Sequence, residues 1–172
     1  MAGVAQRRGG RHASLPQRGC LMNGSRGANR IHREILSSPA SLPAVRAELA
    51  ALCERIGFDD ETVGKIVLSV DEALTNIIRH AYDGAADKPI VIEAAAIEAE
   101  PGGVRIDLRD FGKVVDPERI KPRDLSDVRP GGLGVHIIRE CMDQVEYRPG
   151  EAGGTHLSMS KALTRQQGVR QS

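Results

Sequence analysis

Glu72 and Asn76 stand four positions apart in the run Asp71-Glu72-Ala73-Leu74-Thr75-Asn76. On a helix, that spacing puts two side chains on one face, about 5–6 Å apart. A carboxylate and a neutral amide oxygen so placed suit Mg²⁺, a hard cation that keeps several waters and takes few protein ligands. Arg79 and His80 continue the same face. A second run, Asp110-Phe111-Gly112, sets an acid next to a glycine, and a third, Gly131-Gly132-Leu133-Gly134, precedes the apolar run Val135-His136-Ile137-Ile138. Glycines before a helix free backbone N–H groups to point at an anion, aided by the helix dipole. The spacing is neither G-x-G-x-x-G nor G-x-x-x-x-G-K-[ST], so the Rossmann and P-loop readings do not apply.

Asp110 gains meaning from its strand. Val104, Ile106 and Leu108 alternate with Arg105, Asp107 and Arg109, so the next inward position is the carboxylate of Asp110. A buried acid needs a donor, because leaving it unpaired costs several kcal/mol. An exocyclic amine such as that of adenine would supply one, and Gly112 would let the backbone pass close to the base. Thr155 shares parity with Leu157 and Met159, which puts a hydroxyl inward at the start of a strand, within reach of the same ring. Singly, each feature has an ordinary explanation: the wet side of a helix, a turn beyond a sheet edge, a β-prone residue, a flexible loop. Jointly they supply metal, base, phosphate and hydroxyl contacts for one nucleotide.

The elements that must position them follow from periodicity. A first strand is expected over Ile31 to Ser37. A helix from Ser41 to about Ile56 carries Leu42, Val45, Leu49, Leu52 and Ile56 on one face, and Gly57 stops it. Asp59 or Asp60 caps the next helix, with Glu61 in its first turn. Its core stripe is Val63, Ile66, Val67, Val70, Leu74, Ile77, Ile78 and Ala81, and Asp83-Gly84 ends it. Ile90 to Ile97 reads as a strand, and Pro101-Gly102-Gly103 as a turn into the strand that ends at Asp110. Residues 113–130, with Pro117, Pro122 and Pro130, read as a mobile loop. A short helix from Gly134 to about Met142 and a hairpin of Gln144–Arg148 with Thr155–Lys161 complete the set. The expected class is α+β, a two-layer sandwich with helices on one face of a mixed, mainly antiparallel sheet.

Composition narrows the functions. The chain has 172 residues, 40% of them hydrophobic but only 2% aromatic, so the core must be built from Val, Ile, Leu and Ala. Its net charge of +1 hides a split, because residues 1–33 hold seven arginines and no acid. The remainder is mildly acidic, which argues against direct nucleic-acid binding, since phosphate contacts need clustered Lys and Arg. Cys20, Cys53 and Cys141 are scattered without a C-x-x-C pair, as expected in a reducing cytoplasm, with Cys53 and Cys141 in the core. No apolar run is long enough to span a membrane. Residues 1–30 read as a disordered basic leader, or as the product of an upstream start with Met22 the true one. Residues 31–163 form the domain, and 164–172 a frayed tail.

The ordered motifs resemble the GHKL ATPase superfamily of gyrase-type, histidine-kinase and chaperone ATPases. Within it, Val70 to Lys161 is similar to the anti-sigma factor serine/threonine kinases. Val70-Asp71-Glu72-Ala73-Leu74-Thr75-Asn76-Ile77-Ile78-Arg79-His80-Ala81-Tyr82 matches their first motif and Asp110-Phe111-Gly112-Lys113-Val114-Val115-Asp116-Pro117 the second. Gly131 to Gly134 with Met142-Asp143 matches the third, and Gly153-Gly154-Thr155 the last. The resemblance implies a Bergerat-type ATP-binding fold in which Asn76 holds Mg²⁺ and Glu72 is the general base. Asp110 would read the adenine amine with Gly112 beside it and Thr155 in support, and Gly132 and Gly134 would meet the phosphates. Arg79, His80, Gly131 and Leu133 complete the residues expected around ATP. Lys113, Lys121, Arg123 and Arg129 are candidates to meet phosphate charge.

The implied reaction passes the γ-phosphoryl of ATP to a serine or threonine of an anti-anti-sigma factor, a STAS-type antagonist. A sigma factor is the second implied partner and a homodimer the implied assembly. Two departures bear on the branch. Val114 stands where histidine-kinase and gyrase members carry a further glycine, and the interval between the second and third motifs is short. No phosphoacceptor-histidine hairpin precedes the first motif, which argues against a complete sensor kinase. A non-catalytic module that uses ATP only to shape a partner-binding surface is the alternative, and a detached helper domain of a phosphorelay a third reading.

Overall fold

The computed structural model describes residues 29–113 and 133–164. The leader through residue 28, the loop 114–132 with Lys121, Arg123, Arg129, Gly131 and Gly132, and the tail from residue 165 lie outside the described residues. Strand β1 (Arg30–Leu36) leads through a single 3-10 turn into helix α1 (Leu42–Ile56), which is followed by helix α2 (Asp60–Asn76). Then come β2 (Pro89–Ile97), β3 (Gly103–Asp110), α3 (Leu133–Cys141), β4 (Gln144–Pro149) and β5 (Thr155–Ala162). The five strands form one sheet in the order β1-β2-β3-β5-β4. All four pairings are antiparallel, so the expected mixed sheet resolves to an antiparallel one.

Local signals place the helices. Gly57 turns left-handed after α1 and donates its N–H to the Cys53 carbonyl at 3.1 Å. Of the two candidate caps for α2, Asp59 serves, its Oδ1 accepting from the Thr62 amide at 2.8 Å. Asp60 and Glu61 follow in the first turn, where the dipole favours negative charge. Past Asn76 the helix does not continue as expected. Residues 77–81 form a single π-helical turn, closed by the Tyr82 amide on the Ile77 carbonyl at 3.1 Å. One residue more per turn leaves no periodic mark in a sequence, and such turns gather at functional sites.

The helices cover one face of the sheet. Leu52, Ile66, Leu74, Ile90, Ile106, Leu108, Ile138 and Met159 are fully buried between the layers. Cys53 is buried with them, its thiol pushed up to about 12 by burial, whereas Cys141 is only half-buried. The opposite face is wet and ion-paired. Glu93 meets His32 and Arg109 there, each at 3.1 Å, and Asp107 accepts from Arg105 at 3.0 Å and meets His156 at 2.9 Å. The two Glu93 pairs are exposed and contribute little stability each, whereas Asp107 and His156 are mostly buried. The role of these pairs is to keep that face in water, while the helices cover the other one.

Candidate nucleotide site

Helix α2 presents Glu72 and Asn76 on a half-buried face, and α3 packs against it. The contact is made at Gly134. A methyl group on its Cα would stand 2.7 Å from Glu72 Oε2 and 3.1 Å from Asn76 Nδ2. A side chain at position 134 would therefore fill the space in front of the two polar groups. Glycine brings the opening turn of α3, whose first amides have no partner within the helix, onto the carboxylate and carboxamide instead.

A second cluster forms at the end of β3. Asp110 is 2% exposed, as the alternation of β3 predicts. Its Oδ1 accepts from the Gly112 amide at 2.9 Å. Burial pushes its carboxyl above the usual range, while the Gly112 and Thr155 amides pull it back. A carboxylate has about four acceptor positions, so capacity remains for an outside donor. Thr155 lies beside it at the start of β5. Its Oγ1 is buried with no hydrogen-bond partner among the described residues. A buried orphan hydroxyl calls for an explanation, and an absent ligand is one. The turn before it is as tight: Gly154 has φ +71°, and a methyl group on it would stand 2.2 Å from the Asp110 carbonyl oxygen.

Ala81 and Tyr82, at the end of the π turn, join the two clusters. Lys113 donates its amide to the Ala81 carbonyl at 3.1 Å, and Gly112 passes so close that a methyl group there would lie 2.3 Å from the same oxygen. The Lys113 ammonium pairs with Asp83. The structure thus gathers Glu72, Asn76 and Gly134 in one group, and Asp110, Gly112 and Thr155 in another. Arg79 and His80 are exposed on the connecting turn, and Leu133 is 64% exposed at the head of α3. Gly131 and Gly132 fall outside the described residues. Sequence reasoning did not single out Tyr82 or Gly154 as site residues, although both sit in the matched motifs.

The donor set fits a nucleotide better than a free-standing metal. Among the described residues no three His, Cys, Asp or Glu side chains cluster as metal ligands. A cation here would be held by few protein atoms and by phosphates and water, which is the habit of Mg²⁺. An antiparallel sheet under three helices, with an acid at the end of β3 and Gly134 of α3 against Glu72 and Asn76, is the arrangement expected of an ATPase domain of the GHKL class.

Comparison with known proteins agrees. The family model described as histidine kinase-like ATPase domain matches residues 35–161. The serine-protein kinase RsbW of Listeria innocua is 26% identical over 145 residues, covering 81% of this chain and 90% of that protein. The RsbW of Halalkalibacterium halodurans is 30% identical over 126 residues, covering 70% and 75%. The chain belongs to the histidine kinase-like ATPases, in the branch of the RsbW anti-sigma factor serine kinases. In fold it is similar to a crystal structure of the RsbU and RsbW domains of Rv1364c from Mycobacterium tuberculosis, with a TM-score of 0.55 at 24% identity, over 79% of this chain and 33% of that one. Among the described residues no helix is long and apolar enough to cross a membrane.

Proposed function

We propose that this protein is a cytoplasmic kinase that phosphorylates a serine or threonine of an anti-anti-sigma factor of the STAS type and, as a homodimer, sequesters a sigma factor. The observation that carries the reading is the seat of Glu72: a carboxylate beside a carboxamide, faced by the glycine-led turn of α3. A module that only binds ATP has no use for a base at that point.

Asn76 would hold Mg²⁺ together with the phosphates, and bound Mg·ATP would supply the electrophilic γ-phosphoryl group and neutralise its charge. Gly134, with Gly132 and the α3 amides, receives the phosphates. Asp110 accepts from the adenine amine, and Thr155 Oγ1 gains a partner that none of the described residues provides. The work of the chain is mostly positioning. Glu72 takes the hydroxyl proton of the acceptor as its oxygen bonds to the γ-phosphorus, and ADP leaves with the bridging oxygen.

The test uses partners captured from the organism's own lysate. Their intact masses are read before and after addition of Mg·ATP, with the wild type and with Glu72→Ala. One phosphate gained on a serine or threonine of a small partner, and absent with Glu72→Ala, establishes the kinase. If ATP binds and the partners stay unmodified, the regulatory binder replaces it.

A further inference from the structure

Tyr82 closes the π turn and is buried, yet its hydroxyl holds two backbone groups, one at the start of β2 and one just past the end of β3. It donates to the Pro89 carbonyl at 2.5 Å and accepts from the Phe111 amide at 2.8 Å. Those two residues would form the next pair of the β2–β3 ladder. The observed register runs from Ile97 opposite Gly103 down to Ile90 opposite Asp110, and stops. Pro89 has no N–H to offer, so the reciprocal bond of that pair cannot form. The phenol oxygen stands between the remaining donor and acceptor. It ends the ladder immediately after Asp110 and spaces the two strands apart there. The Gly112 segment then bends onto Ala81, where Lys113 donates to the Ala81 carbonyl at 3.1 Å.

We infer that Tyr82 is a positioning residue for base recognition: its hydroxyl, inserted between β2 and β3, sets the height at which Asp110 meets an exocyclic amine. The inference rests on the reading that Asp110 accepts from the adenine amine. The hydroxyl also ties that base contact to the helix that carries Glu72 and Asn76, because Tyr82 closes the turn that begins one residue after Asn76. Burial pushes the phenol above its ordinary range, the Phe111 amide pulls it back, and the charge of Asp110 adds to the rise. The hydroxyl is therefore a neutral donor near the carboxylate, able to report what happens to it. With phenylalanine at 82, the Phe111 amide and Pro89 carbonyl must either close on each other or lose their partner. Closing moves the residue next to Asp110, and losing the partner frees it to move.

The experiment compares dissociation constants for ATP and for inosine triphosphate, which carries a carbonyl where adenine has its amine. Wild type, Tyr82→Phe and Asp110→Asn are measured, with melting curves taken without nucleotide. The expected result is that Tyr82→Phe melts as a cooperative fold, weakens ATP about tenfold and leaves inosine triphosphate unchanged. A merely structural tyrosine would weaken both alike. If Asp110→Asn loses the preference for ATP and Tyr82→Phe keeps it, the inference fails while the Asp110 reading stands. If Asp110→Asn keeps the preference, that reading fails and takes the inference with it. Should Tyr82→Phe not fold, the native side chain gives the answer. Tyr82 and Tyr147 are the only two tyrosines, so 3-fluorotyrosine labelling yields two signals, assigned with Tyr147→Phe. The Tyr82 signal should move on binding ATP and move less with inosine triphosphate. A signal that ATP leaves in place overturns the inference.

Discussion

Gly134 and Glu72, 62 positions apart in the chain, are in contact: a single added methyl at 134 would stand 2.7 Å from the carboxylate oxygen Oε2. That distance is shorter than real Cβ contacts allow, so Gly134→Ala must push α3 away or turn Glu72 aside. Gly134 is the second residue of α3 and its φ lies outside the left-handed region, so the helix backbone itself does not object to alanine. The expected result is a fold that melts near the wild-type temperature with phosphotransfer lowered about 100-fold, the scale of a 1 Å misplacement in a reacting site. Turnover and melting are measured on the same preparation. Unchanged turnover would show that α3 does not rest on Glu72.

Thr155 predicts a trade in the opposite direction. Its Oγ1 is buried without a partner among the described residues. An unsatisfied buried hydroxyl costs about 1–3 kcal/mol, which the nucleotide-free protein bears and a bound ligand removes. Thr155→Val replaces the hydroxyl with a methyl of similar shape. The nucleotide-free variant should be as stable as the wild type or more stable by about 1 kcal/mol, while its affinity for ATP falls. Denaturant midpoints with and without Mg·ATP separate the two effects. A variant destabilised without nucleotide would mean that the hydroxyl already has a partner in the fold.

These two cases show which parts of the site a sequence can carry. Strand alternation is local, and it placed Asp110 and Thr155 on the inner face correctly: Asp110 is 2% exposed, and Leu157 and Met159, which share parity with Thr155, are buried. Helical spacing likewise marked Val63, Ile66, Val70, Leu74, Ile78 and Ala81, all buried, together with Val67 and Ile77, which are half-buried. The stripe missed Ser69 and Ala73, which are equally buried, because small residues fit where helices approach closely and their types give a weak apolar signal or none. The contact of Gly134 with Glu72 depends on how α3 registers on α2, a matter of packed volumes rather than of pattern. Tyr82 is similar. An aromatic before Asp83-Gly84 reads as the end of a helix, and nothing local says that its hydroxyl meets an amide 29 positions later. The missing N–H of Pro89 was the available clue, since a proline opening a strand leaves a ladder bond unmade.

The final prediction concerns acid. Burial pushes the Asp110 carboxyl above its ordinary range, against the pull of the Gly112 and Thr155 amides. A carboxyl whose pKa is higher folded than unfolded binds its proton more tightly in the fold. Its contribution to stability is therefore fully present below the unfolded value, about 3.9, and is lost as pH rises through the folded value. Recognition of an amine runs the other way, because the acceptor must be ionised. Affinity for ATP should accordingly fall as pH drops through the folded value, while this one group makes the nucleotide-free fold more stable. Other acids oppose that gain. Asp143, which burial alone would raise, is held below its usual range by the Ala162 amide and Lys161, so its own contribution is lost as pH falls. Asp110→Asn isolates the effect, since it cannot titrate. Calorimetric binding of ATP from pH 7 downward should show an affinity that declines for the wild type relative to the variant. Parallel curves for the two proteins would mean that the proton on Asp110 does not govern the base contact, and that another group reads the adenine edge.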